Sequence, residues 1–312
     1  MEEITIVTSF FDINREKFAN KALARSCEKY VEYFKTWARI RNHLIIYTEP
    51  KMKDAFLGVR EAFGLRDKTT IIVIDDFYNI LPDYYKKMCL IEQNKSFINF
   101  RYFTNAMSNE ARYCYLVMLQ YWFINDAVER DLVKENVAWI DIGFNHGLEY
   151  YTDPKQFDFV WRFPFDKKIN CFALFNPDNL FSMDGLQFQK DCFMGGLMVL
   201  HKSKALDFWE YIKEAVNALF MLECIDDDQQ LLMMAYKAHP EAFTIRICNW
   251  FEPLRICGGE HLSYKKPEKE PIFQRIKVAL LKGTGLAYRK FLYRSYKRVK
   301  SLEGYKYVDK ER

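Results

Sequence analysis

The sequence predicts an α/β protein in which a mostly parallel sheet is covered by helices on both faces, and three observations carry that reading. Short, almost wholly apolar runs recur at 4–8, 43–48, 69–74 and 137–141. Charged amphipathic stretches long enough for helices separate them. Hydrophobic residues make up 50% of the 312 positions and aromatic residues 17%, enough for a full core, while 12 Gly and 9 Pro exclude collagen-like or linker sequence. Strands that are apolar throughout, rather than alternating, belong in a sheet buried on both faces.

Taken in order, Ile4-Thr-Ile-Val-Thr8 is a first buried strand that gives way to Ser9 and Asp12. An amphipathic helix is expected over about Arg15 to Trp37, then a strand His43-Leu-Ile-Ile-Tyr-Thr48, closed by Glu49-Pro50. A polar helix runs to Phe63, and Thr69-Thr-Ile-Ile-Val-Ile74 is a third strand, closed by Asp75-Asp76. A long helix over Asn109 to Arg130 leads to the fourth strand, Val137-Ala-Trp-Ile-Asp141. Beyond 150 the pattern turns irregular and aromatic, with one more strand at Phe193–Leu200 and helices at Lys204–Leu222 and Asp227–Ala238. Ligands of open α/β sheets bind beyond the carboxyl ends of the strands, so Ser9, Asp12, Thr48, Asp75, Asp76 and Asp141 mark the expected rim. The simplest division is one domain over 1–264 and an appendage over 265–312.

Charge separates those two parts. Residues 265–312 hold 15 Lys/Arg against 5 Asp/Glu and carry +10, so the rest of the chain sums to −6. Between 271 and 302, apolar and basic residues mix in helix-compatible stretches broken near Gly283-Thr-Gly285, which suits an anionic membrane surface. A helix packed on the body is the plain alternative, and nucleic acid ranks lower because the body is acidic.

Several classes lose support. The start, Met1-Glu2-Glu3-Ile4, carries acids where a secretory signal carries bases, so no signal peptide is expected. The longest stretch without a charged residue, Tyr113–Asn125, has 13 residues, short of the roughly 18 that span a bilayer. Eight Cys without a CxxC read as reduced, mostly buried thiols of a cytosolic protein. There is no GxxxxGK, GxGxxG, GxSxG or HExxH, which removes the usual handles for P-loop NTPases, dinucleotide dehydrogenases, α/β-hydrolases and zinc proteases.

Four segments remain: Trp139-Ile-Asp-Ile-Gly143, Asp191-Cys-Phe-Met-Gly-Gly-Leu-Met-Val-Leu200, Asp226-Asp-Asp-Gln-Gln-Leu-Leu232 and His261-Leu-Ser-Tyr-Lys-Lys-Pro267. In this order they resemble the signature segments of GT-A glycosyltransferases of the glycogenin and lipopolysaccharide galactosyltransferase group. The opening Ile-Thr-Ile-Val-Thr-Ser-Phe-Phe-Asp-Ile and the run Trp-Ile-Asp-Ile-Gly-Phe-Asn-His-Gly are more similar still to the HtrL/YibB-type family, which is associated with bacterial surface-glycan gene clusters.

The resemblance implies a GT-A-like, Rossmann-like sheet and a retaining glycosyltransferase in surface polysaccharide or lipopolysaccharide biosynthesis. It would move a sugar from a nucleotide-sugar, UDP-linked, onto a glycan or glycolipid acceptor. Thr8, Ser9, Phe10, Asp12, Thr48 and Asp76 would bind the donor from the strand ends, with Arg112 and Lys266 on its diphosphate. Asp141 would hold Mn²⁺ or Mg²⁺, hard cations that prefer oxygen ligands and neutralise the departing diphosphate. His261 would be the late metal ligand, with His146 as the competitor. Gly195 and Gly196 would lie against the donor sugar, where a side chain would collide. Asp228 would hold hydroxyls of the donor sugar and Gln229 would sit beside its anomeric carbon, although three acids at a helix start also serve as simple capping.

The sequence departs from the pattern at Gly143, where a second acid is expected. That departure favours the alternative of a non-catalytic nucleotide-sugar or glycan-binding protein on a degenerate GT-A fold. A metal-dependent phosphohydrolase using Asp75, Asp76 and Asp141 is a further rival. The expected location is the cytoplasm, peripherally on the inner face of the cell membrane through residues 271–302.

Overall fold

The computed structural model describes residues 3–17, 24–94, 101 and 107–265. They form a mixed α/β unit around a seven-stranded sheet. The strands are β1 (Thr5–Phe10), β2 (Leu44–Thr48), β3 (Thr69–Val73), β4 (Asn136–Ile140), β5 (Ile169–Ala173), β6 (Leu197–His201) and β7 (Phe243–Ile247). Their spatial order is β3-β2-β1-β4-β6-β5-β7. Neighbours pair in parallel except at β6, which runs antiparallel to both β4 and β5. A mostly parallel sheet was expected, and it is present.

Alternate residues of each central strand feed two separate cores. Val7, Ile45, Val137, Trp139 and Leu200 pack on one face, whereas Ile6, Ile46, Ala138, Ile140 and Val199 pack on the other. The first face is covered by α3 (Pro82–Asn94), α4 (Ala111–Glu129), α6 (Ala205–Met221) and α7 (Asp228–Ala238). The second is covered by α1 (Cys27–Trp37), α2 (Lys53–Glu61) and the aromatic segment around Phe144, Tyr151, Phe157 and Trp161. Two covered faces explain why these strands are apolar throughout.

Several expected boundaries move. The first helix begins at Cys27, not Arg15, because Ser26 caps it by accepting from Lys29 N. The strand expected over Phe193–Leu200 begins at Leu197, and Phe193 makes only an isolated bridge to Ala173. The region beyond 150 also contains β5, β7 and the short helices α5 (Ser182–Phe188) and α8 (Pro253–Ile256). All eight cysteines are free and five are buried. Among the described residues no helix is long and apolar enough to cross a membrane. The basic appendage and Lys266 lie outside the described residues.

Candidate functional site

A cleft of about 460 Å³ opens where β1 and β4 end. Both carboxylates singled out in the sequence, Asp141 and Asp228, line it, and so do Gly195, Gly196 and Gln229. Ser9, Phe10 and Asp12 contribute from the end of β1. Four separated segments of the chain therefore meet at one place, as the carboxyl-end rule for such sheets anticipates.

Asp141 follows the last residue of β4. Its backbone N–H donates to the Gly196 carbonyl at 2.9 Å, which ties the strand end to the Gly195-Gly196 turn. Its Oδ1 accepts from Gly143 N at 2.7 Å. Burial raises its pKa, opposed by that N–H and by the charges of His146 and Arg15. Gly143, at the position of the missing second acid, would hold one only tightly, since a Cβ there would lie 3.0 Å from Asp141 Oδ1 and that carboxylate would have to give by a few tenths of an ångström.

The acids at the start of α7 divide the two roles that the sequence left open. Asp227 is the cap: its side chain accepts from Gln230 N and from Ser108 Oγ, the latter at 2.6 Å. Asp226 is fully buried and pairs with the equally buried Arg101 at 2.8 Å. Asp228 faces the cleft. Burial, then the Asp227 and Asp141 carboxylates, pushes its pKa up to about 8. Gln120 lies close enough to favour the charged form of Asp228, although its Nε2 makes no aligned hydrogen bond. The Gln229 amide, oriented with its nitrogen toward acceptors, donates to Phe193 O at 3.1 Å and Asp191 Oδ1 at 3.2 Å.

Gly195 has a specific reason to be glycine. A Cβ there would lie 1.4 Å from Asp228 Oδ2, so the carboxylate occupies the space a side chain would take. Gly196 is different, because its nearest neighbour would be Asp141 Cβ at 3.8 Å, an ordinary contact. The sequence reading placed both glycines against the donor sugar. The structure adds that Gly195 seats Asp228.

Other expected residues sit elsewhere. Thr48 Oγ1 donates to the Phe10 carbonyl at 2.9 Å, and Thr8 is fully buried with an unpartnered Oγ1. Neither is among the cleft-lining residues. Asp76 caps a turn by accepting from Tyr78 N and Asn79 Nδ2, so the three acids of a phosphohydrolase centre do not come together. Arg112 pairs with Glu110 at 2.8 Å. Against the upward push of burial, Lys51 and neighbouring hydrogen bonds hold Asp12 below the usual carboxylate range. His261 Nε2 lies 3.0 Å from the Gln156 carbonyl oxygen, with its ring on Phe159, whereas His146 lines the cleft with Asp141.

The cleft also holds residues the sequence reading did not select. Arg15 and Arg25 supply its positive charge, and Tyr30, Trp250 and Phe251 supply rings. Trp139 and Gln120 line it too. A signal existed for those two: Trp139 stands two residues before Asp141, hence on the same strand face, and Gln120 interrupts the apolar and aromatic run of α4. No group of three His, Cys, Asp or Glu side chains suited to hold a metal occurs among the described residues.

A family model described as a bacterial protein of unknown function, HtrL_YibB, matches residues 2–258. The chain belongs to the HtrL_YibB family. It is 30% identical over 280 residues to Protein HtrL of Escherichia coli (strain K12), spanning 84% of this chain and 94% of that protein. Among solved structures it is similar to the apo form of mouse xyloside xylosyltransferase 1, at 12% identity and a TM-score of 0.41, over 81% of this chain and 90% of that one. In this HtrL_YibB member the cleft gathers the groups that bear on chemistry.

Proposed function

We propose that this protein is a glycosyltransferase that binds a nucleotide-sugar, UDP-linked, in the cleft and transfers the sugar to a glycan or glycolipid acceptor. The observation that carries the reading is the meeting of Asp141 and Asp228 with Arg15, Arg25 and aromatic rings in one cavity. Each part answers one part of such a donor. Rings stack on a base, guanidiniums pair with a diphosphate, and carboxylates accept from sugar hydroxyls. A volume of about 460 Å³ is of the size that holds a small molecule.

Transfer breaks the bond between the anomeric carbon and the diphosphate oxygen, and an acceptor oxygen forms a new bond to that carbon. The protein's tasks are to hold the leaving group, orient the sugar and exclude water. Arg15 and Arg25 take the charge that grows on the diphosphate. Asp228 fixes the sugar ring, and Gln229, anchored by Phe193 and Asp191, stands beside it. The resemblance described above favours retention at the anomeric carbon.

A divalent cation fits here only in one manner. With one carboxylate at the end of β4 and no three-residue cluster among the described residues, Asp141 would share a Mn²⁺ or Mg²⁺ with the donor's own phosphates, with His146 as the histidine in the cleft. When bound, such a cation supplies charge neutralisation at the leaving diphosphate. Gly143 favours a second reading, a non-catalytic protein that holds the nucleotide-sugar without turnover.

The test is thermal stabilisation by UDP-glucose, UDP-galactose, GDP-mannose and the free nucleotides, with Mn²⁺ and with chelator. A donor at about 100 times its Kd adds roughly 2.7 kcal/mol. A shift with one nucleotide-sugar that Asp141→Asn removes supports the reading. No shift with any of them rejects it.

A further inference from the structure

Two buried hydrogen-bond donors on the cleft wall make no aligned hydrogen bond. Gln120 is 4% exposed and its Nε2, although near the Asp228 carboxylate, has no aligned acceptor, and Trp139 is 2% exposed with an orphaned Nε1. Both residues line the same cavity as Asp141 and Asp228. Gln120 comes from the middle of α4 and Trp139 from β4, so two rigid elements hold them. Buried polar groups are nearly always paired, and one left unpaired costs free energy that a bound acceptor can recover.

We infer that Gln120 and Trp139 are the sugar-reading residues of this cleft, donating to hydroxyl oxygens of the transferred sugar while Asp228 accepts from the same hydroxyls. The inference rests on the nucleotide-sugar reading and deepens it. The chemistry selects the ligand group. An indole N–H only donates and a carboxyl oxygen accepts, and a hydroxyl is a group that answers both at once. Phosphate would accept from Gln120 and Trp139 but would offer no donor to the Asp228 carboxyl oxygens. A nucleobase would find flat rings more useful than an acid. A ring with neighbouring hydroxyls satisfies all three side chains together.

The test compares Gln120→Met and Trp139→Phe with the wild type by thermal shift, using UDP-glucose, UDP-galactose, GDP-mannose and the matching free nucleotides. Loss of one donor should weaken nucleotide-sugar binding roughly tenfold. Binding of the free nucleotide should stay unchanged. The unliganded Gln120→Met variant should melt at the wild-type temperature or above it, because its amide nitrogen makes no aligned hydrogen bond in the empty cleft. Gln120→Met keeps the test open where the smaller ring of Trp139→Phe unfolds the protein. Variants that keep the full nucleotide-sugar shift overturn the assignment while leaving the donor site standing. Equal loss of nucleotide and nucleotide-sugar binding overturns it too, since the residues would not be reading the sugar. A lower unliganded melting temperature for Gln120→Met also overturns it, showing that its amide serves the fold. No shift in the wild type rejects this inference together with the reading beneath it.

Discussion

Asp228 and Gly195 occupy one site between them, since a Cβ on Gly195 would fall 1.4 Å from Asp228 Oδ2. Gly195→Ala must therefore push Asp228 aside, and it should abolish both donor binding and turnover. Gly196→Ala meets only Asp141 Cβ at 3.8 Å, so the empty protein should keep its stability. A donor packed against that backbone would still feel the new methyl. Melting curves with and without nucleotide-sugar separate the two cases, and identical behaviour of the variants would contradict them. Asp228 also sets a pH dependence. Its folded pKa is raised to about 8 from the ordinary carboxyl value of 3.8, by burial first and then by Asp227 and Asp141. An acid whose pKa is raised on folding binds more protons in the native state, so its contribution is present below the unfolded pKa and lost as pH rises through the folded one. Asp228→Asn should thus gain stability relative to wild type as pH rises from about 4 to about 8, with the difference levelling off above that. Melting temperatures measured across that range check this, and a difference that shrinks with rising pH would contradict it.

Among the elements, the turn after β4 lines the cleft with Phe144 and His146. Asn145, His146, Gly147 and Leu148 have φ of 68°, 44°, 74° and 76°, a left-handed run that side chains rarely adopt. Asn145 holds it. Its Oδ1 accepts from Tyr150 N and Tyr151 N, and its Nδ2 donates to Tyr151 O, all within 2.9 Å. Three bonds at about 1 kcal/mol each and the lost tolerance for positive φ put Asn145→Ala at about 3 kcal/mol of destabilisation. Denaturant unfolding reads that figure, and a change below about 0.5 kcal/mol would show that the turn holds without it. None of this was legible beforehand, because a left-handed run has no hydrophobic period to read. β1, β2 and β4 were legible because two buried faces leave continuous apolar runs, and β3, although half-exposed, because Ile71, Ile72 and Val73 follow one another. β7 was not, since its half-exposed positions include Thr244 and Arg246. β5 was missed because five residues among many aromatics do not stand out. The acids of the site were legible one by one. Their partners across the cleft, such as Gln120 and Arg15, come from segments that only folding brings near.

At the scale of the whole molecule, a mildly acidic body is joined to a basic segment, 265–312, that carries +10. We propose that this segment binds the anionic inner face of the cell membrane, where a lipid-linked acceptor would be delivered. Each basic residue near such a surface contributes about 1 kcal/mol, so several suffice for reversible, salt-sensitive binding. Removing residues 271–312 should release the protein from vesicles containing anionic lipid, and cosedimentation that is unchanged by the truncation would eliminate the idea. The central claim, however, concerns turnover in the cleft. The most direct measurement is release of free nucleotide diphosphate from the nucleotide-sugar that stabilises the protein best, in wild type, Asp141→Asn and Asp228→Asn. The account predicts slow, donor-selective release by the wild type and none by either variant. A wild type that binds the sugar nucleotide yet never releases the diphosphate, with or without a glycan or glycolipid acceptor, would contradict it and leave a binding protein in its place.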